Sequence, residues 1–167
     1  MLWMITGGAR SGKSRFAQET ALAHTQKPIY IATARNWDDD FNERIKRHQL
    51  DRDERWTSIE EEKHLSTLPI QDQVVVIDCA TLWMTNLFVD EKNDIDKCLQ
   101  FAKKEIDALS ETPGIILFVT NELGMGLHAD TEIGRKFTDL QGWVNQYLAA
   151  KAQKVTLMVS GLPLDIK

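Results

Sequence analysis

Short apolar runs alternate along the chain with longer segments in which apolar residues recur every three or four positions. The runs Leu2–Thr6, Ile29–Thr33, Val74–Ile77, Ile115–Val119 and Val155–Val159 are of strand length. Val74-Val75-Val76-Ile77 and Ile115-Ile116-Leu117-Phe118-Val119 read as strands buried on both faces. The longer segments read as helices. Lys13–His24 lacks Gly and Pro, and Asp94–Leu109 carries Ile95, Leu99, Ala102 and Ile106 at helical spacing. Thr131–Lys151 carries Ile133, Phe137, Leu140, Val144 and Leu148 on one face. Arg135, Asp139 and Asn145 are expected on its polar side, with Trp143 in the core or at a subunit contact. Asp38–Arg52 is strongly charged and reads as a surface helix, with Asp38, Asp39 and Asp40 near its N-terminus. Trp56–Ile59 reads as an edge strand and Glu60–Leu68 as a short helix, while Val155–Val159 is expected to close the sheet.

This alternation implies an α/β fold of three layers, α/β/α, with a mostly parallel central sheet. No repeat, low-complexity stretch or linker interrupts it, so residues 1–167 are expected to form one domain. Sheets of this kind bind ligands beyond the carboxyl ends of their strands. The segments that matter are then 7–14, 34–40, 78–86, 120–126 and 160–163.

The first of these is Gly7-Gly8-Ala9-Arg10-Ser11-Gly12-Lys13-Ser14, a complete G-x-x-x-x-G-K-[ST] phosphate-binding loop between a strand and a helix. Its glycines allow several N–H groups to converge on one phosphate, and the helix behind it aims its positive end at the same anion. Lys13 is expected to reach the β- and γ-phosphates, and the Ser14 hydroxyl to ligate Mg²⁺. A P-loop nucleotide-binding fold is the consequence. Asp78 ends the Val74–Ile77 run as a Walker-B acid ends its strand, where it can hold Mg²⁺ against Ser14. The competing reading makes it a cap for the following Thr81–Asn86 segment.

In the charged segment, Arg44, His48 and Arg52 fall four residues apart, with Arg47 beside them. Neighbouring cations keep an imidazole neutral and nucleophilic, and arginines bind phosphates in bidentate fashion. A histidine that accepts a nucleotidyl group would look like this, but so would a solvated helix face. After the Ile115–Val119 run, Thr120, Asn121 and Glu122 can position a hydroxyl substrate or metal-bound phosphates, ahead of the flexible Gly124-Met125-Gly126. His24, His64 and His128 show no zinc-site spacing.

Composition narrows the partners. A net charge of −5 over 167 residues leaves no general nucleic-acid surface. Cys79 and Cys98 show neither C-x-x-C spacing nor a disulfide framework, which suits a reducing compartment. No charged leader or membrane-length apolar segment is apparent, so a cytoplasmic protein without a transmembrane segment is expected.

Together these motifs resemble the bifunctional adenosylcobinamide kinase / adenosylcobinamide-phosphate guanylyltransferase family. The resemblance rests on Thr6–Arg15, Tyr30-Ile31-Ala32-Thr33, Arg44-Ile45-x-x-His48-x-x-x-Arg52 followed by Trp56, and Thr85-Asn86. It continues in Thr120–Gly126, Gly142-x-Val144-Asn145-Gln146 and Val159-Ser160-Gly161, and so runs from end to end. It implies phosphorylation of adenosylcobinamide by ATP or GTP, then transfer of GMP from GTP to adenosylcobinamide phosphate. The products are adenosylcobinamide-GDP and pyrophosphate, in cobalamin nucleotide-loop assembly. His48 matches the family's guanylyl-accepting histidine. Thr33, Arg44, Arg52, Asp78 and Glu122 join residues Gly7–Ser14 as the expected nucleotide site, with Mg²⁺ on Ser14 and Asp78. The resemblance also implies a homotrimer. Arg47 stands where relatives often carry a second histidine, and Asp78 where some carry Glu. The alternatives are a P-loop kinase or nucleotidyltransferase with a single activity, and a nucleotide-dependent regulator, which would call for the absent Asn-Lys-x-Asp motif.

Overall fold

The computed structural model describes residues 1–35 and 53–167. Seven strands form one sheet: β1 (Leu2–Gly7), β2 (Ile29–Ala32), β3 (Thr57–Glu60), β4 (Gln73–Asp78), β5 (Gly114–Val119), β6 (Lys154–Val159) and β7 (Leu162–Asp165). Their spatial order is β3-β2-β4-β5-β1-β6-β7, and every pairing is parallel except the last. Among the described residues the helices are α1 (Lys13–His24), α2 (Ala80–Asp90), α3 (Ile95–Glu111) and α4 (Glu132–Lys151).

Alternate residues of each central strand enter different cores, which is why those strands read as unbroken apolar runs. Leu2, Met4, Val75, Ile77, Ile116 and Phe118 pack with Trp83, Ala102, Ile106, Leu140 and Val144 from α2, α3 and α4. Trp3, Ile5, Val76, Leu117 and Val119 turn the other way, against Ala17 and Ala21 of α1. These are the two helical layers of the expected α/β/α sandwich. Helix starts follow capping chemistry: Asp94 accepts a hydrogen bond from the Lys97 N–H and Thr131 one from the Gly134 N–H.

Four expectations change. Glu60–Leu68 forms only a 3₁₀ turn at Leu65–Thr67, because Glu61 turns its carboxylate onto the N–H groups of Lys63 and His64 instead of letting a helix begin. The sheet closes on β7 rather than β6. Ser160 and Gly161 both take positive φ (51° and 84°), the backbone that a two-residue hairpin needs, so the chain reverses and pairs antiparallel. Ile133 of α4 is half exposed and Trp143 is 45% exposed, so neither belongs to the core, and of the two places expected for Trp143 the subunit contact is the one left open. Asn145, expected on the polar side, is buried in that helix's inner face. The Asp38–Arg52 helix lies outside the described residues.

Candidate active site

The phosphate loop leaves β1 through Gly7 at φ 148° and enters α1 through Gly12 in the left-handed region at φ 95°. Arg10 also has positive φ, 55°. A Cβ on Gly7 would lie 2.5 Å from the Met158 carbonyl oxygen, so the backbone there tolerates no side chain. α1 starts without a side-chain cap and with no acid in its first turn, leaving its first N–H groups and its dipole for an anion. The β6–β7 turn supports the loop from below: the Gly161 N–H donates to the Ser11 carbonyl at 3.0 Å. The Ser11 hydroxyl is buried without a hydrogen-bond partner among the described residues.

Lys13 is buried, and its ammonium donates to the Gly8 carbonyl at 2.6 Å. Burial lowers its pKa, while the nearby Asp78 carboxylate pulls it back up. The lysine of the loop and the acid at the end of β4 therefore belong to one electrostatic site. Asp78 does not cap α2, whose N-cap is Cys79 with no side-chain cap. Instead, its Oδ2 accepts a hydrogen bond from the Tyr30 hydroxyl at 2.9 Å. The competing capping role thus falls away. One carboxylate oxygen is oriented by Tyr30 and the other accepts no hydrogen bond from a described residue; a carboxylate and the Ser14 hydroxyl are oxygen donors of the kind that could hold Mg²⁺.

Thr33, expected to touch nucleotide, is fully buried. Its hydroxyl donates to the Cys79 carbonyl and accepts from the Cys79 N–H, both at 2.8 Å. It clamps the backbone directly behind Asp78 and so positions the acid. Asn86 extends the same support, donating to the Thr33 carbonyl at 2.8 Å and the Glu62 carbonyl at 3.2 Å. Cys79 lies in this floor as a free thiol; burial, with Asp78 nearby, pushes its pKa up to about 12, so it stays neutral.

On the other side of the loop, the N–H of Glu122 donates to the Gly7 carbonyl at 3.1 Å. The strand-end segment Thr120-Asn121-Glu122 thus abuts the phosphate loop. Glu122 is half-buried, as are Asn121 and Ser14; Gly8, Ala9 and Arg10 are exposed. At the opposite margin, Arg35 makes two hydrogen bonds to Asp90, at 3.0 Å each, and one to Glu62 at 2.7 Å. Lys63 also pairs with Asp90. This cluster ties the chain after β2 to the loop after β3 and the end of α2.

Gly7–Ser14, Asp78 and Glu122 therefore converge at one edge of the sheet, whereas Arg44, Arg47, His48 and Arg52 lie outside the described residues. Sequence reasoning missed Tyr30 as the partner of Asp78, Gly161 as the prop of the loop, and the buried amides Asn86, Gln141 and Asn145. For the last two a signal existed: they fall four residues apart, within the stripe set by Leu140, Val144 and Leu148.

Comparisons with known proteins cover the whole chain. The family model described as cobinamide kinase / cobinamide phosphate guanyltransferase matches residues 3–166. The bifunctional adenosylcobalamin biosynthesis protein CobU of Escherichia coli K12 is 38% identical, with both chains covered in full. CobP of Pseudomonas aeruginosa, of the same description, is 37% identical over 98% of this chain and 96% of its own. CobU of Salmonella typhimurium LT2 is 36% identical over all of both. Among solved structures, the flagellar accessory protein FlaH of Methanocaldococcus jannaschii aligns with 99% of this chain and 77% of its own at 14% identity and a TM-score of 0.49. That likeness is too loose to add to the architecture already described. With the phosphate loop, the strand-end acid and a match running through almost the whole sequence, the chain belongs to the cobinamide kinase / cobinamide phosphate guanyltransferase family.

Proposed function

We propose that this protein carries out both reactions of its family on adenosylcobinamide. The observation that carries this reading is the convergence of the phosphate loop with Asp78 and Glu122 in a chain that matches the family from residue 3 to residue 166. In the first reaction, the aminopropanol hydroxyl attacks the γ-phosphorus of ATP or GTP. The bond from γ-phosphorus to the bridging oxygen breaks, the nucleoside diphosphate leaves and the hydroxyl proton is released. The N–H groups of residues Gly7–Ser14 and the Lys13 ammonium hold the phosphates and balance charge on the transferring group. Ser14 and Asp78 are the residues that would hold Mg²⁺, which when bound neutralises the phosphate oxygens. The Glu122 N–H bonds to Gly7 of the same loop, and its carboxylate is assigned to accept a hydrogen bond from the attacking hydroxyl.

In the second reaction, His48 attacks the α-phosphorus of GTP, forming a phosphorus–nitrogen bond and expelling pyrophosphate. The phosphate of adenosylcobinamide phosphate then displaces the histidine, giving adenosylcobinamide-GDP and free His48. Arg44 and Arg52, at helical spacing around it, are assigned to the nucleotide phosphates. Arg47, beside the acceptor, adds positive charge that favours its neutral form. Incubation with Mg²⁺ and GTP labelled at the α-phosphate tests this step. Acid-labile, base-stable label is expected on the wild-type protein and none on His48→Ala; equal labelling of both would remove His48 from the role.

We further assign the protein to the cytoplasm. Two free cysteines, both buried, suit a reducing compartment, and no described helix is long and apolar enough to cross a membrane. A homotrimer, as the family resemblance implies, fits the exposed apolar row Leu162, Leu164 and Ile166 along the sheet-edge strand β7 and beyond it.

A further inference from the structure

Behind the segment that abuts the phosphate loop lies a buried polar network. Thr120 and Gln141 are fully buried and Asn145 is 4% exposed. The Thr120 hydroxyl donates to Asn145 Oδ1 at 2.7 Å. The Gln141 amide donates to the same Oδ1 at 2.9 Å and to the Thr120 hydroxyl oxygen at 3.1 Å. With the other end of its amide, Asn145 donates to the Asn121 carbonyl at 3.0 Å.

The segment is held by three further hydrogen bonds. The Thr120 N–H bonds to the Ile5 carbonyl of β1 at 2.9 Å and the Glu122 N–H to the Gly7 carbonyl at 3.1 Å. The Asn121 N–H bonds to the Thr81 hydroxyl of α2 at 3.1 Å. Three consecutive residues are thus strapped to β1, α2 and α4, while the side chains of Asn121 and Glu122 make no hydrogen bond to another described residue. Fixed backbone beneath unengaged polar side chains, beside a phosphate loop, is how a reacting group is pre-positioned. Stability alone would be served as well by apolar packing, since a buried polar network brings definition of geometry more than net energy.

We propose that Thr120, Gln141 and Asn145 are positioning residues for phosphoryl transfer: they fix the Asn121–Glu122 backbone so that Glu122 meets the acceptor hydroxyl at the phosphate loop. This rests on the reading of that loop as the kinase site. None of the three touches substrate; each acts through the segment it holds.

The test compares Thr120→Val, which keeps the shape and removes the donor, with Thr120→Ser, which keeps the donor. Glu122→Gln and the double variant Thr120→Val/Glu122→Gln complete the set. Turnover and nucleotide KM are measured with adenosylcobinamide, and folding is checked by thermal melting. Thr120→Val is expected to lower kcat roughly 10- to 100-fold, the usual effect of a misplaced reacting group, with nucleotide KM within about twofold of wild type. Thr120→Ser should keep most of the activity, and the double variant should be no slower than Glu122→Gln alone. The proposal is overturned if Thr120→Val loses activity only as far as it loses folded protein. Multiplying effects in the double variant, or a Glu122→Gln enzyme with wild-type kcat, overturn it equally. Lys13→Ala serves as the separate control: wild-type turnover there would instead refute the phosphate-loop reading.

Discussion

The two sides of the site are built by different means. The phosphate loop is shaped by backbone: Gly7 and Gly12 take conformations other residues resist, and Gly161 supports the loop through one N–H. The facing segment Thr120-Asn121-Glu122 is shaped by side chains arriving from α4, some twenty residues further along the chain. A backbone cradle binds any phosphate chain and asks little of the rest of the molecule. A side-chain scaffold fixes one orientation, and it is only as good as the packing behind it. If the two sides serve phosphate binding and acceptor orientation as proposed, substitutions should separate them.

The largest effect is expected at the backbone side. Lys13→Ala removes the cation over the loop and should lower phosphoryl transfer by about 10²- to 10³-fold, the scale of losing one preorganised charge-stabilising donor; steady-state kinase assays measure it. Stability should not follow activity. Burial lowers the Lys13 pKa, so the charged lysine opposes folding below its folded pKa, and that opposition fades as pH rises toward lysine's ordinary range near ~10.4. Lys13→Met is therefore expected to melt no lower than wild type at neutral pH. A large fall in melting temperature would mean that the bond to Gly8 outweighs the buried charge.

Gly7→Ala tests the cradle itself. Its Cβ would meet the Met158 carbonyl at 2.5 Å and the Ser11 hydroxyl at 2.8 Å. A loss of ~1–3 kcal/mol of stability is expected, together with loss of nucleotide binding, read by denaturation and titration. Normal binding would show that the loop can be rebuilt around a side chain.

A smaller effect is expected at Asp78, the acid proposed to hold Mg²⁺. Asp78→Asn should shift the Mg²⁺ dependence of turnover to higher concentrations, and Tyr30→Phe, which only frees the carboxylate to rotate, should shift it less. An unchanged Mg²⁺ titration for Asp78→Asn would remove the metal role.

The smallest effect lies at the margin of the site. Arg35 and Lys63 hold the Asp90 carboxyl well below the ordinary aspartate range. Because its folded pKa is depressed, the stabilisation is present above the unfolded value of ~3.9 and is lost as pH falls through the folded one. Asp90→Asn should therefore lower the melting temperature modestly at pH 7 and progressively less below about pH 4. An equal loss at both pH values would mean that the group contributes shape rather than charge.

What could be read beforehand follows the same division. The parallel strands, α1, and the helices beginning near Asp94 and Thr131 were legible because each depends on residues close together in sequence; the capping bonds of Asp94 and Thr131 were not read beforehand. The phosphate loop was legible for the same reason, being eight consecutive residues. The β7 hairpin was missed because Ser160-Gly161 is a weak turn signal and Leu162–Asp165 contains a proline, which argues against a strand unless it lies at an edge, as here. Thr33 was expected at the nucleotide, and its hydroxyl is turned onto the Cys79 backbone; nothing local indicates which way a strand-end hydroxyl turns. Asn145 was assigned to a polar face because amides usually lie there; only its partners Thr120 and Asn121 explain its burial.

The most direct measurement is to follow the purified protein with adenosylcobinamide, ATP, GTP and Mg²⁺ by mass spectrometry. Adenosylcobinamide phosphate should appear first, followed by adenosylcobinamide-GDP and one pyrophosphate for each GMP transferred. Lys13→Ala should block the first product, and His48→Ala should stop the sequence at the phosphate. Neither product from the wild-type protein, or both products from the two variants, would contradict the assignment of these reactions to this site.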